Sequence, residues 1–244
     1  MENPFSLVGK TILVTGASSG IGRGVAVACS NMGATVILNG RNESRLQETK
    51  AQIDGNCELL IGDLTNDETL NSLVRALPKL DGVVHCAGVG QRVPCKNVSV
   101  ENVDEVMDVN FKAPALLMSA LLQQKKINKG ASIIFIASIA SWSPSFGNSI
   151  YSASKGAIIS YANCLALELA PRQIRVNCIS PAMVWTDLIL KDGLDEEQLK
   201  KDENNYPLKR YGTPEDIANL AVYMLSDAST WMTGSNVKIS GGIN

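Results

Sequence analysis

Tyr151-Ser-Ala-Ser-Lys155 places a phenol and an amine four residues apart, so a helical segment would carry both on one face. A phenol ordinarily titrates near pH ~10, and an ammonium held beside it favours the phenolate and lowers that value. Such a pair can pass a proton to or from a substrate oxygen at neutral pH. Thirteen residues before the tyrosine, Ser138 ends the apolar run Ile133-Ile134-Phe135-Ile136-Ala137, which reads as a buried strand. A hydroxyl at a strand's carboxyl end, facing a helix start, can hold a carbonyl oxygen beside the phenol. Tyr-x-x-x-Lys also arises by chance in helices, so the elements around it must supply the context.

The first such element is Thr11 to Thr15, a short β-branched run that predicts a central strand. It leads directly into Gly16-Ala17-Ser18-Ser19-Gly20-Ile21-Gly22 and a helix from Ile21 to Asn31. Strand, glycine-rich turn and helix form a phosphate cradle, in which the backbone approaches closely and free N–H groups face the anion. The second strand, Thr35 to Asn39, ends in Asn39-Gly40-Arg41. It offers no acid to accept from ribose hydroxyls, and a guanidinium that suits a 2′-phosphate. NADP(H) is therefore the expected cofactor, with NAD(H) as the alternative that the nearby Glu43 keeps open. Asp63 and Leu64 follow a third strand, Cys57 to Ile61, where the acid could contact an adenine amino group or cap the next turn. A fourth strand, Gly82 to His85, ends in Cys86-Ala87-Gly88. His85, the chain's single histidine, is expected to be packed and to donate to a neighbouring backbone carbonyl, not to catalyse. Oxidation of Cys86 or Cys95 beside the pocket is a minor alternative, since nothing nearby stabilises a thiolate.

Helical spacing predicts one long helix over 100–124, with Asn110 inside it as an amide in need of a special partner. A helix follows from Tyr151 to Ala170, then a sixth strand from Ile174 to Ile179. Residues 183–211 read as a loop-like excursion with Trp185, Leu188, Ile189, Leu190, Leu194 and Tyr206 among charges, the pattern of a substrate lid. Thr213-Pro214-Glu215-Asp216 starts another helix, and Asn236 to Ile239 gives a last strand. Strands and helices alternating in this way predict an α/β, doubly wound, mostly parallel seven-stranded sheet with helices on both faces. Neither repeats nor linkers interrupt the 244 residues, which are expected to form one domain.

Composition narrows the function. A net charge of −2 disfavours nucleic acid or anionic membranes as main partners. No apolar run approaches the ~20 residues of a membrane span, and the start lacks the pattern of a secretory signal. Six cysteines without Cys-x-x-Cys pairs point to free thiols in a cytoplasmic protein and away from a metal site.

Taken together, these motifs make the whole chain resemble the classical short-chain dehydrogenase/reductase family, a Rossmann-type fold. Thr15 to Gly22 matches the family's cofactor loop, Asp63 its adenine-contacting acid, and Asn110, Ser138, Tyr151 and Lys155 its catalytic tetrad. Thr233-Gly234 and Gly241-Gly242 fit as well. The resemblance implies that Tyr151 is the general acid in reduction, that Lys155 tunes it and holds the nicotinamide ribose, and that Ser138 orients the carbonyl. Asn110 would hold a water leading from Lys155 to solvent. Pro181, Ala182, Val184 and Thr186 would line the nicotinamide, and the Cys86, Ala87 and Gly88 turn would border the cofactor. Two departures stand out: His85-Cys86 where the family has two asparagines, and Ala182 where it has glycine. The layout is most like 3-oxoacyl-[acyl-carrier-protein] reductases, with Lys129 and Arg172 at positions that meet the acidic carrier at the site entrance. A sugar, steroid or other ketone is the alternative substrate, and a small carbonyl or alcohol is the expected partner in each case. A non-catalytic NADP(H)-binding regulator is the alternative from another class. The resemblance also implies a homotetramer built through the 100–124 and Tyr151–Ala170 helices.

Overall fold

The computed structural model describes residues 3–191 and 195–243. Its centre is a seven-stranded sheet in the order β3-β2-β1-β4-β5-β6-β7. The strands are β1 (Thr11–Thr15), β2 (Thr35–Gly40), β3 (Cys57–Ile61), β4 (Leu80–His85), β5 (Ile127–Ile136), β6 (Arg175–Pro181) and β7 (Asn236–Ile239). Every pairing is parallel. The strand order reverses direction at β1 and β4, which opens a crevice at their carboxyl ends, where such sheets take their ligands.

Helices cover both faces, because strands this apolar must be buried on each side. On one face lie α1 (Gly20–Asn31), α2 (Glu43–Lys50) and α9 (Pro214–Leu225). Val25, Cys29 and Leu225 there pack on Ile12, Val14, Val36, Val84 and Ile134. The other face carries α3 (Asp67–Ala76), α4 (Val100–Met107), α5 (Ala113–Gln123) and α6 (Ser149–Leu169). Val74, Leu117, Leu121 and Ile158 meet Leu13, Ile37, Val83, Ile133 and Phe135. Neighbouring strand residues thus divide between two apolar layers, as the period-2 pleat requires.

Two segments differ from the sequence reading. The helix expected over 100–124 is interrupted by a π-helical turn at Asp108–Lys112 that carries Asn110. The stretch read as loop-like after β6 contains α7 (Asp187–Lys191) and α8 (Glu196–Asp202). It also has a small core of its own, built from Ile189, Leu199, Tyr206 and Tyr211. Glu203 Oε1 accepts from Trp185 Nε1 at 2.8 Å and from the Tyr211 backbone N–H at 2.9 Å, which fixes the segment to itself. Leu194, counted among its apolar residues, lies outside the described residues.

Candidate active site

A cleft of 440 Å³ lies at the carboxyl ends of β1, β2 and β4. It is lined by Gly16, Ser18, Ser19, Gly20, Ile21 and Gly22, by Arg41, by Asp63 and Leu64, by Cys86, Ala87 and Gly88, and by Thr186. The glycines are dictated by contact. Gly16 has φ +64, and a Cβ there would stand 2.7 Å from Ala87 N; one on Gly22 would stand 2.2 Å from Gly16 O. Any side chain would therefore prise the first turn of α1 from the strand ends. Ser19, the N-cap of α1, makes no side-chain cap bond, and the first turn holds no acid. Its backbone donors and positive dipole end are thus available to an anion such as a pyrophosphate.

At the far end of the cleft, Arg41 Nη1 stands 3.3 Å from Asp63 Oδ2. Asp63 Oδ1 accepts from the Thr65 backbone N–H at 2.9 Å and from its hydroxyl at 2.7 Å. Partial burial pushes this carboxyl up, but the two Thr65 bonds and the guanidinium outweigh it and hold it below its ordinary value. Beneath the pair, buried Asn39 donates from Nδ2 to Leu60 O at 2.9 Å and joins the ends of β2 and β3. The Thr15 hydroxyl accepts from Cys86 N and Ala87 N at 3.2 and 3.3 Å, joining β1 to the turn after β4. Sequence reasoning met Thr15 and Asn39 only as parts of local motifs, because their bonds run between elements that only the fold brings together, and it did not single out Thr65.

Beside Gly88 lie Lys155 and Asn110, two of the four residues matched to the family's catalytic tetrad. Ser138 follows β5, where its Oγ accepts from Ala140 N at 3.1 Å and caps a 3₁₀ turn at Ile139–Ser141. Tyr151 and Lys155 share one side of α6, with Lys155 Nζ 5.7 Å from the centroid of the tyrosine ring. Lys155 is only 6% exposed, and its Nζ donates to Ile136 O at 2.8 Å. Burial lowers its pKa to about 8, against the opposing pull of the Cys86 and Cys178 sulfurs. Asn110 is buried and spends its amide on protein. Oδ1 accepts from Val89 N at 2.8 Å, and Nδ2 donates to Val89 O at 2.9 Å and to Ser154 Oγ at 3.0 Å. Ser154 Oγ in turn donates to Tyr151 O at 2.7 Å. A Cβ on Gly88 would come within 3.3 Å of Asn110 Oδ1 and 3.5 Å of Lys155 Nζ, so this glycine joins the cleft to both.

A family model described as enoyl-(acyl carrier protein) reductase matches residues 16–244. The chain is 35% identical over 239 residues to a 3-oxoacyl-[acyl-carrier-protein] reductase of Rickettsia felis, covering 98% of each. It is 31% identical over 244 residues to the human dehydrogenase/reductase SDR family member 4, covering 97% of this chain and 88% of the relative. The chain belongs to the short-chain dehydrogenase/reductase family. Among solved structures, it matches one from Beutenbergia cavernae with a TM-score of 0.88 and 32% identity, covering 98% of each chain. That protein is assigned as an NAD(P)-dependent gluconate 5-dehydrogenase and holds bound NADP. This short-chain dehydrogenase/reductase is accordingly an NAD(P)-dependent oxidoreductase acting on CH–OH donors.

Within the family frame, several residues take places the sequence did not foresee. His85 is buried and stacks on Phe135, with centroids 4.5 Å apart and planes 6° from parallel. Its Nε2 has no hydrogen-bond partner, so it does not donate to a carbonyl through that atom as expected. Burial lowers its pKa to about 3, which keeps the ring neutral. All six cysteines are free, and burial pushes the Cys86 thiol far up, away from the reactive thiolate. Pro181, Ala182 and Val184, like Asn110, Ser138, Tyr151 and Lys155, lie outside the cleft lining: Val184 packs into the α1/α9 layer and Ala182 against the Tyr206/Tyr211 core. Thr186 does reach the cleft, with its Cγ2 3.1 Å from where a Gly20 Cβ would stand. Lys129 lies early in β5, and Arg172 Nη2 donates to Ile127 O at 2.6 Å near the same end. Both sit at the amino ends of the strands, opposite the cleft, so neither guards the entrance of its own chain's site. Asp187, at the start of α7, pairs with Arg45 of α2 at 3.7 Å and ties the two helices together beside the cleft.

A second groove, of 620 Å³, is bounded by Pro94 and Cys95 on one side and Pro144 and Phe146 on the other. Ser149 and Ser152, which flank Tyr151 on α6, complete it. No helix among the described residues is long and apolar enough to cross a membrane.

Proposed function

We propose that this enzyme reduces ketones to secondary alcohols with NADP(H), and that 3-oxoacyl thioesters are its substrate class. The observation that carries the reading is buried Lys155, whose Nζ lies next to Gly88 of the cleft and 5.7 Å from the Tyr151 ring centroid, and donates to Ile136 O, two residues before Ser138. The cofactor, when bound, supplies the hydride. Tyr151 gives its proton to the carbonyl oxygen as that oxygen gains charge, and takes it back in the reverse direction. Ser138 donates to the same oxygen and orients it. Lys155, as the ammonium, stabilises the deprotonated phenol; its anchor on Ile136 O holds the charge in place. With its side-chain amide occupied by Val89 and Ser154, Asn110 positions the catalytic helix and has only its backbone left for a water toward Lys155. The glycine loop would take the pyrophosphate, Asp63 the adenine, and Arg41 the 2′-phosphate, while Thr186 would border the nicotinamide.

Support for an acyl substrate comes from kinship with a 3-oxoacyl-[acyl-carrier-protein] reductase across nearly the whole chain and from the apolar groove beside Tyr151. A second reading, a sugar-derived ketone, draws on the likeness to the gluconate 5-dehydrogenase structure. Residues 183–211 would form the substrate lid of a single-domain chain. Exposed Val100, Val103 and Leu116 of α4 and α5, with Leu167 of α6, suit the assembly of a homotetramer, in which Lys129 and Arg172 could meet a carrier at a neighbour's site. Free thiols suit a cytoplasmic setting.

The test is oxidation of NADPH and of NADH with a 3-oxoacyl thioester, a ketogluconate, a ketosteroid and a simple diketone. Turnover of the thioester with NADPH is the expected result. Turnover of the sugar ketone alone would keep the mechanism and replace the substrate. NADPH binding without turnover of any carbonyl would favour a cofactor-binding regulator.

A further inference from the structure

The Arg41–Asp63 contact occupies the group that is read above as the 2′-phosphate donor set. Arg41 Nη1 lies 3.3 Å from Asp63 Oδ2, with the guanidinium side chain 66% exposed and the carboxylate side chain 38% exposed. The carboxylate is not a loose surface group. Thr65 holds its other oxygen with two bonds, at 2.9 and 2.7 Å, and so aims Oδ2 at the guanidinium. Asn39 fixes the strand ends that carry both residues, donating to Leu60 O at 2.9 Å and Gly62 O at 3.4 Å. A guanidinium meets a carboxylate and a phosphate with the same fork of donors. Both anions would therefore seek the same face of Arg41.

We propose that Asp63 restrains this enzyme's preference for NADP(H) over NAD(H) by competing with the 2′-phosphate for Arg41. Asp63 is in this sense a positioning residue that acts through the arginine. The inference rests on the reading of Arg41 as the phosphate-binding residue. NAD(H) carries a hydroxyl where NADP(H) carries the phosphate, so it does not oblige Arg41 to leave Asp63. A contact between Asp63 and the adenine would serve the two cofactors equally and cannot produce a difference between them.

The experiment is a fluorescence titration of NADPH and NADH on the full-length enzyme, its Asp63→Asn and Arg41→Ala variants and the double variant, at low salt. Asp63→Asn keeps an acceptor oxygen for Thr65 and removes the charge. The expected result is a rise in Kd(NADH)/Kd(NADPH) of about two- to fivefold, the range spanned by an exposed ion pair. The rise should shrink at high ionic strength and disappear in the Arg41→Ala background. The thermal midpoint reports whether each variant is folded, and Asp63→Ser replaces Asp63→Asn if that variant is not. An unchanged or lower ratio in the charge-removing variant overturns the proposal. A rise that persists without Arg41 also overturns it, because the carboxylate would then repel the phosphate directly. If Arg41→Ala alone leaves the ratio at the wild-type value, the reading of Arg41 itself fails, and the proposal falls with it.

Discussion

Replacing Lys155 with methionine should lower turnover by about two orders of magnitude and make the protein more stable, two effects that a general disruption of the site could not produce together. The side chain is 6% exposed, and burial lowers its pKa from 10.5 to about 8. A depression of that size means that carrying the ammonium into the folded protein costs roughly 3 kcal/mol at pH 7. Methionine has similar length and no charge, so it removes that cost. It also removes the 2.8 Å bond to Ile136 O, a loss of about 1–2 kcal/mol. The net gain is about 1–2 kcal/mol, or a rise in Tm of roughly 2–8 °C for a chain of this size. The pH dependence has a definite sign. Below about 8 the folded and unfolded chains both hold the proton and the cost is complete; between about 8 and 10.5 the folded protein gives up its proton first and the cost fades. The advantage of methionine should therefore be greatest at neutral pH and vanish above 10.5. For turnover, a unit charge 5.7 Å from the tyrosine ring is worth roughly 3 kcal/mol at an effective dielectric of about 20, or about two orders of magnitude in rate. Calorimetry across pH 7 to 10.5, run beside NADPH oxidation, reads both effects. A lower Tm at pH 7, or a rate within a few-fold of wild type, would refute the reasoning.

Two other substitutions probe the scaffold around this cluster. Gly22→Ala would place a methyl 2.2 Å from the Gly16 carbonyl oxygen. It should cost about 1–3 kcal/mol in denaturant titration and weaken cofactor binding, because the α1 amino end must retreat from the cleft. Asn110→Ala leaves Val89 N and O without their partners in a half-buried turn. A loss of about 2–4 kcal/mol is expected by the same titration, with kcat falling more than cofactor affinity, since Ser154 and the backbone of Tyr151 lose their tether.

Much of this fold was legible because its strands declare themselves locally. Thr11 to Thr15 and Ile133 to Ile136 are β-branched or apolar throughout, as strands covered on both faces must be. The Tyr151/Lys155 spacing and the Gly16 to Gly22 turn were equally visible, since each is a short-range pattern. The helices after β6 were not. Helix α8 buries Leu199 but is otherwise polar; the pairs Lys200–Glu196 and Lys201–Glu197 support it from outside, and such a stretch looks like solvated loop. The π turn at Asn110 was announced only as an amide out of place in a helix. The bonds of Thr15 and Asn39 join residues far apart in sequence, so no local pattern encodes them, whereas those of Thr65 reach back two residues to Asp63 and form the turn cap that the sequence allowed. Lys129 and Arg172 show the opposite error: matching positions were found, but only the topology tells which end of the sheet they occupy.

The central claim is that Tyr151 is the proton donor of an NADP(H)-dependent carbonyl reduction. Its most direct test is Tyr151→Phe, measured for NADPH affinity by fluorescence titration and for NADPH oxidation with a 3-oxoacyl thioester that the wild type reduces. Because the ring remains and only the hydroxyl is lost, the account predicts NADPH affinity within a few-fold of wild type and turnover lowered by about two to four orders of magnitude. Turnover at the wild-type rate would contradict it.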